Sequence, residues 1–221
     1  MNEIPPLIKS PEDKLRHGNS KVTREEWLLA ARDTLVSKGA SDVKILALST
    51  QLGVSRSSFY WYFENRADLL NALLQEWEAR NTQCIVEKCA LDAESIAQSV
   101  CHFFECFIDP KLFDQGLDFA VREWSRRDRS IREKIDEADR IRLEAVTAFF
   151  ERHGYDTEEA DARARILYFM QLGYHALDIK ESFEMRMSRL DAYLLGFTGK
   201  KADPALVAGF RRLAFAVRSD T

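Results

Sequence analysis

The chain has 221 residues, of which 46% are hydrophobic and 31% charged, with only 9 Gly and 5 Pro. That balance excludes a disordered or fibrous chain, and the length suits one large domain or a small one joined to a larger one. The formal net charge of −4 argues against a polyanionic partner for the molecule as a whole, but its distribution decides the matter.

Residues 1–22 carry four basic and three acidic side chains and residues 23–70 carry six of each, so the acidic excess lies beyond Leu70. Nucleic acid is therefore tolerated only at the front of the molecule. No apolar run approaches the roughly 20 residues needed to cross a bilayer, and the first residues are polar. The expectation is a cytoplasmic protein with no membrane partner.

Helical periodicity dominates, with no alternating strand pattern and no internal repeat, so the expected fold class is all-α. Residues 1–22, with Pro5, Pro6, Pro11 and Gly18, read as a flexible arm, either solvated or lending Lys14, Arg16 or Lys21 to a phosphate. Thr23-x-x-Glu26 has the spacing of a capping box and starts a helix whose inner stripe is Leu28, Ala31 and Leu35, ended by Gly39. A short helix is predicted over 45–52, then Gly53-Val54-Ser55, then a second over 56–62 with Ser55 as its cap. Ile45, Leu48 and Leu52 face the core, small Ser49 permits a close crossing, and Phe59 and Phe63 anchor the back of the second helix. This is helix-turn-helix spacing. Further helices are predicted from Arg66 to about Cys89, then over 93–108, 110–126, 130–153, 157–179, 182–195 and 204–217.

The run LSTQLGVSRSSFYWYFENRADLL, Leu48 to Leu70, resembles the DNA-binding domain of the tetracycline-repressor (TetR) family of bacterial transcription regulators. Three positions depart from that pattern: Lys44 stands where the family often has a capping Thr, Leu46 and Ala47 replace commonly polar residues, and Tyr62 replaces a frequent His. The resemblance implies three units, an arm over 1–22, a DNA-binding domain over 23–70, and a helical effector-binding and dimerisation domain over 71–221. After Leu74 it thins, and the stretch Ala120 to Arg140 resembles one branch of the family. The basic cluster there, Arg126, Arg127, Arg129 and Arg132, alternates with acids and reads as a solvated, salt-bridged face.

Short polar and aromatic side chains on an anchored helix suit the major groove. Arg56, Ser57, Ser58, Tyr60, Trp61 and Tyr62 are expected on the outward side, following Ser55. Arg56 has the fork for two hydrogen bonds to guanine, and Tyr60, Lys44 and Arg66 are expected at phosphates of a double-stranded operator.

For the body, the resemblance implies a homodimer paired through a four-helix bundle. The stripes proposed for it are Leu167, Met170, Gly173, Tyr174 and Leu177, then Phe183, Met187, Leu190 and Leu194. Such a dimer binds a palindrome with recognition elements roughly 34 to 36 Å apart or a little more. The expected effector is a small, largely apolar molecule with one or a few polar groups. Its pocket is expected from Phe103, Phe107, Phe113, Leu117, Trp124, Tyr168, Gln171 and His175, where two polar side chains look inward among aromatics. The expected function is a repressor released from its operator by that molecule; the alternative is a regulator of the same fold that answers to a protein partner.

No enzyme is expected. None of His17, His102, His153 and His175 has Glu three residues before it, as a helical di-iron site requires, and no phosphate loop, GxSxG or HExxH is present. Cys84, Cys89, Cys101 and Cys106 lack zinc spacing, and residues five apart on a helix diverge by about 140°. They are expected to be reduced, buried thiols, with neither metal nor cofactor.

Overall fold

The computed structural model describes residues 22–177 and 179–219. The arm expected over 1–22 lies outside them except for Val22. Among the described residues the chain is helical, with no strand. The helices are α1 (Arg24–Lys38), α2 (Ile45–Gln51), α3 (Arg66–Trp77), α4 (Gln83–Ala90), α5 (Ile96–Ile108), α6 (Gln115–Ser125), α7 (Arg129–Arg152), α8 (Thr157–Ala176), α9 (Phe183–Ser188), α10 (Leu190–Thr198) and α11 (Pro204–Ser219).

Local chemistry sets the boundaries. Thr23 accepts from the Glu26 amide while the Glu26 carboxylate accepts from the Thr23 amide, completing the capping box before α1. Gly39, at φ +89°, supplies a backbone conformation that side chains rarely adopt and ends the helix. Asp114, Asp128, Asp156 and Ser182 cap α6, α7, α8 and α9 through their side chains. The 110–126 prediction therefore begins too early: Pro110 to Asp114 form a turn whose last residue is the cap.

The long helix expected from Arg66 to Cys89 is interrupted by a π-helical turn at Glu78–Thr82. One extra residue in the turn rotates Asn81 and Thr82 inward, and both are buried. There the Asn81 amide donates to Asp114 O at 2.9 Å and its oxygen accepts from Asp114 N at 2.9 Å. The polar pair locks the helix to the start of α6.

Two apolar cores result. One joins α1, α2 and α3 to α6 and α7, through Trp27, Leu35, Phe59, Leu73, Val121 and Ile135 among others. The other fills the body between α4, α5, α7, α8, α10 and α11. A domain cut at Leu70 falls inside α3, and the front core extends across it into α6, so the two units share a wall.

Candidate nucleic-acid interface and effector cavity

The front domain presents its polar edge on a rigid back. Phe59 is wholly buried, with its ring 5.3 Å from Trp27 and 5.3 Å from Phe63. Gly53, at φ +67°, reverses the chain so that the Val54 amide donates to Ser49 O at 3.0 Å. Ser49 is buried at the crossing, where its hydroxyl donates to Leu46 O. Residues Arg56–Trp61 then form a 3-10 helix rather than the α-helix expected. Three residues per turn aim Tyr60 and Trp61 outward together, 59% and 64% exposed.

Arg56, Ser57 and Ser55 are exposed, and Arg56 makes no ion pair among the described residues. Lys44 is exposed at the cap position of α2, its Nζ 3.7 Å from the Asp42 carboxylate. Several expectations are corrected. Ser55 does not cap the next turn; its hydroxyl bonds the Ser57 hydroxyl at 2.7 Å. Ser58 is buried and donates to Ser55 O at 2.8 Å, so it braces the turn instead of facing out. Tyr62 packs half-buried against the front core.

Arg66 also turns inward. Its Nε donates to Val43 O at 2.6 Å and its Nη2 to Ala40 O, so the guanidinium clasps the α1–α2 connection rather than standing at a phosphate position. These carbonyls lie at the two ends of the short 3-10 turn Ala40–Asp42 that follows α1, where the Ala40 carbonyl also takes the Val43 amide at 3.4 Å, and a basic side chain commonly meets such carbonyls.

In the body, a buried polar knot ties five elements together. Wholly buried Arg142 of α7 donates from Nη1 to Asp118 of α6 at 3.0 Å and from Nε to Thr82 at 3.1 Å. Asp118 also accepts from Trp77 Nε1 of α3 at 2.8 Å and from Arg122 Nε at 2.9 Å. Arg122 forks onto Asp139, and Tyr168 of α8 donates to the same carboxylate at 2.6 Å. Burial alone raises the Asp118 carboxyl, but Arg142 and Arg122 outweigh it and hold it at about 2.

The cavity of the body, about 280 Å³, lies between α5, α8, α9 and α10, with Arg218 of α11 at its edge. Of the expected pocket residues, Phe107 and Gln171 line it. His175 sits behind Gln171 with its ring 5.5 Å from Phe107 and 6.2 Å from Phe113. Burial depresses its pKa to about 4, so the neutral ring accepts at Nε2 from the Gln171 amide at 2.9 Å. Phe113 lines the neighbouring cleft instead. The other four are corrected: Phe103 is wholly buried in the body core, Leu117 and Trp124 belong to the front core, and Tyr168 belongs to the polar knot. Residues that the sequence did not suggest, Phe104, Glu181, Arg186, Tyr193 and Arg218, complete the wall.

The expected dimer stripe is corrected in the same way. Leu167, Leu190 and Leu194 are buried in the protomer's own core, and Met170, Tyr174, Phe183, Met187 and Leu190 line the cavity. The outward stripe of α8 is Ile166, Phe169, Gly173 and Leu177, one residue earlier at its first three positions. Ile166, Phe169 and Leu177 are 59%, 47% and 74% exposed, and nothing lies within 4 Å of a Cβ built on Gly173. The basic cluster is solvated and salt-bridged as expected, with Arg126 to Glu123, Arg129 to Glu133 and Arg132 to Asp136.

All four cysteines are buried thiols, with Cys84 and Cys106 in contact across α4 and α5 at 3.0 Å. No group of acids, His and Cys with metal-holding geometry occurs among the described residues, and no helix among them is long and apolar enough to cross a membrane.

A three-helix front with an exposed polar-aromatic turn, joined to a helical body, defines a helix-turn-helix domain carried on a larger helical domain. The sequence model described as "Bacterial regulatory proteins, tetR family" matches residues 28–73, so the front domain is similar to the DNA-binding domain of that family. Solved structures share the fold along nearly the whole chain. Salmonella enterica GusR is 14% identical over 92% of this chain and 98% of its own, with a TM-score of 0.54. A putative TetR-family transcriptional regulator from Mesorhizobium loti is 15% identical over 87% and 98%, at 0.53. AmtR from Mycobacterium smegmatis is 18% identical over 90% and 97%, also at 0.53.

Proposed function

We propose that this chain is a homodimeric transcriptional repressor that holds a palindromic operator through Ser55, Arg56, Ser57, Tyr60 and Trp61, with Lys44 at a flanking phosphate. A small, largely apolar molecule in the body cavity releases it. The observation that carries the reading is the outward Arg56–Trp61 turn on a fully packed back, which leaves a guanidinium fork and two aromatic edges for the groove. Pairing runs through the exposed α8 stripe of Ile166, Phe169, Gly173 and Leu177, where the glycine lets a second helix approach closely.

The route from cavity to DNA is short. Gln115 lines the cavity and donates to Phe107 O at 3.1 Å, while adjacent Gly116 lies against Val36 of α1, and Arg32 of α1 pairs with Asp114 at 3.4 Å. A ligand that displaces Phe107 or Gln115 therefore bears on the helix behind the recognition turn. The ligand acts only through its different affinity for the two arrangements, typically about 1 to 3 kcal/mol. The cavity favours this reading over a protein-partner one, which expects a filled body.

The test is a gel shift of the full chain on the DNA upstream of its own gene, repeated with a compound panel. Specific retardation reversed by one compound class is expected. Retardation that no compound able to bind the body alters would leave a DNA-binding protein without small-molecule control.

A further inference from the structure

The wall of the cavity is unevenly charged. Its lining includes apolar Phe104, Phe107, Met170 and Leu190 and two cations, Arg186 of α9 and Arg218 of α11. The acid in the wall, Glu181, is already held by Arg189 and accepts from the Tyr174 hydroxyl at 3.4 Å. Its charge is thus matched by Arg189; Arg218 has the Glu184 carboxylate nearby, while Arg186 has no ion pair among the described residues.

Arg186 is the more telling of the two. Its guanidinium lies over the Tyr174 ring, 4.9 Å from the centroid, and its Nε is buried with no hydrogen-bond partner. A buried, charged N–H without an acceptor is costly, and stacking on an aromatic face leaves the in-plane donors unmet. Nε is one of the two donors that an arginine offers side-on to a carboxylate. Arg218 stands over Phe183, 4.8 Å from its centroid, and lines both this cavity and the neighbouring cleft.

We propose that the cavity takes a small organic anion, an aromatic or medium-chain carboxylate whose apolar body lies against Phe104, Phe107 and Met170 and whose headgroup meets Arg186, with Arg218 adding attraction at the rim. The inference rests on the effector reading and narrows it to one chemical class. A volume of about 280 Å³ sits near the lower end for ligand sites, so the molecule is compact. A cationic analogue is repelled, and a neutral one leaves the guanidinium unmet.

The experiment is isothermal titration of the full chain with 4-phenylbutyrate, decanoate and benzoate, each beside its primary amide, in wild type and in the R186Q and R186K variants. Melting curves of each variant check that it is folded. The expected result is that at least one acid binds about tenfold or more tightly than its amide. R186Q removes that preference while leaving the amide affinity in place, and R186K, which keeps the charge but not the fork, restores part of it. Equal binding of acids and amides, or an undiminished preference in R186Q, overturns the anion inference and leaves ligand sensing standing. Binding of neither set to folded protein that still retards its DNA overturns the anion inference, and the sensing reading then fails separately if the wider compound panel also leaves retardation unchanged.

Discussion

Replacing Asp118 by Asn tests the buried knot most sharply, because it keeps the shape and removes the charge. Asp118 is the carboxylate that faces wholly buried Arg142 and also takes Trp77 and Arg122. Without that charge, Arg142 has no anionic partner and keeps neutral contacts alone, to Thr82, to the Tyr168 hydroxyl at 3.4 Å and to the Trp77 and Phe113 rings. Breaking one partner of a buried pair costs about 3–5 kcal/mol, because an uncompensated charge remains. At about 2–4 °C per kcal/mol for a chain of this size, the melting temperature should fall by roughly 6–20 °C. The pH dependence gives an independent figure. A carboxyl held at about 2 against an ordinary 3.8 contributes on the order of 2 kcal/mol that is fully present above pH 4 and lost as pH falls through 2. Thermal unfolding followed by circular dichroism between pH 2 and pH 7 measures both. Asp139→Asn is the comparison, since Arg122 then keeps Asp118, and it should cost only about 1–2 kcal/mol. A D118N protein that melts like wild type and keeps the same acid limb would refute the account of the knot.

Three further outcomes follow from particular contacts. Arg66→Ala should lower stability by about 1.5–3 kcal/mol through loss of the clasp on Ala40 and Val43, and weaken DNA binding without flattening its salt dependence. A salt slope reduced by about one phosphate's share would instead place Arg66 on the backbone. Phe169→Glu, on the exposed α8 stripe, should halve the mass found by light scattering at micromolar protein while leaving the melting of the protomer close to wild type; an unchanged mass would remove this face from the interface. Cys89 and Cys101 should resist alkylation in the folded protein at pH 8, since burial raises Cys89 and pushes Cys101 to about 12. Rapid labelling of either before unfolding would contradict that burial.

The front domain was legible because its signals are local. A capping box, a glycine that must reverse the chain and two phenylalanines four apart each act within a few residues, and Thr23, Gly53, Phe59 and Phe63 take the positions that such local rules assign. The inward turn of Ser58 escaped because it depends on a 3-10 rather than an α-helical period, a difference of 20° per residue that composition does not encode. Arg66 misled for another reason. A basic residue at a helix start looks like a phosphate ligand until the carbonyls of Ala40 and Val43, more than 20 positions away, are placed beside it.

In the body, α8 is apolar on two faces. Periodicity finds both the 167/170/174 stripe and the 166/169/173 stripe, but it does not say which one the protomer covers itself. Nothing in the sequence singles out Arg142 and Asp118, because charged residues are rarely buried and theirs is met only when Trp77, Arg122 and Tyr168 from other parts of the fold are brought around them. Arg186 carried a weak signal in its apolar setting, between Met185 and Met187, yet the unmet Nε appears only once Tyr174 is folded over it.

The central claim, that the outward Arg56–Trp61 turn reads a specific duplex, is tested most directly by fluorescence anisotropy. The full chain and its Arg56→Ala variant are titrated onto the duplex from upstream of the gene and onto a shuffled duplex of the same composition at one fixed salt concentration. The account predicts that wild type prefers its own duplex by about 10³-fold or more, and that Arg56→Ala loses about 1 to 3 kcal/mol of that preference while its binding to the shuffled duplex changes little. Equal affinity for both duplexes, or a preference that survives Arg56→Ala intact, would contradict it.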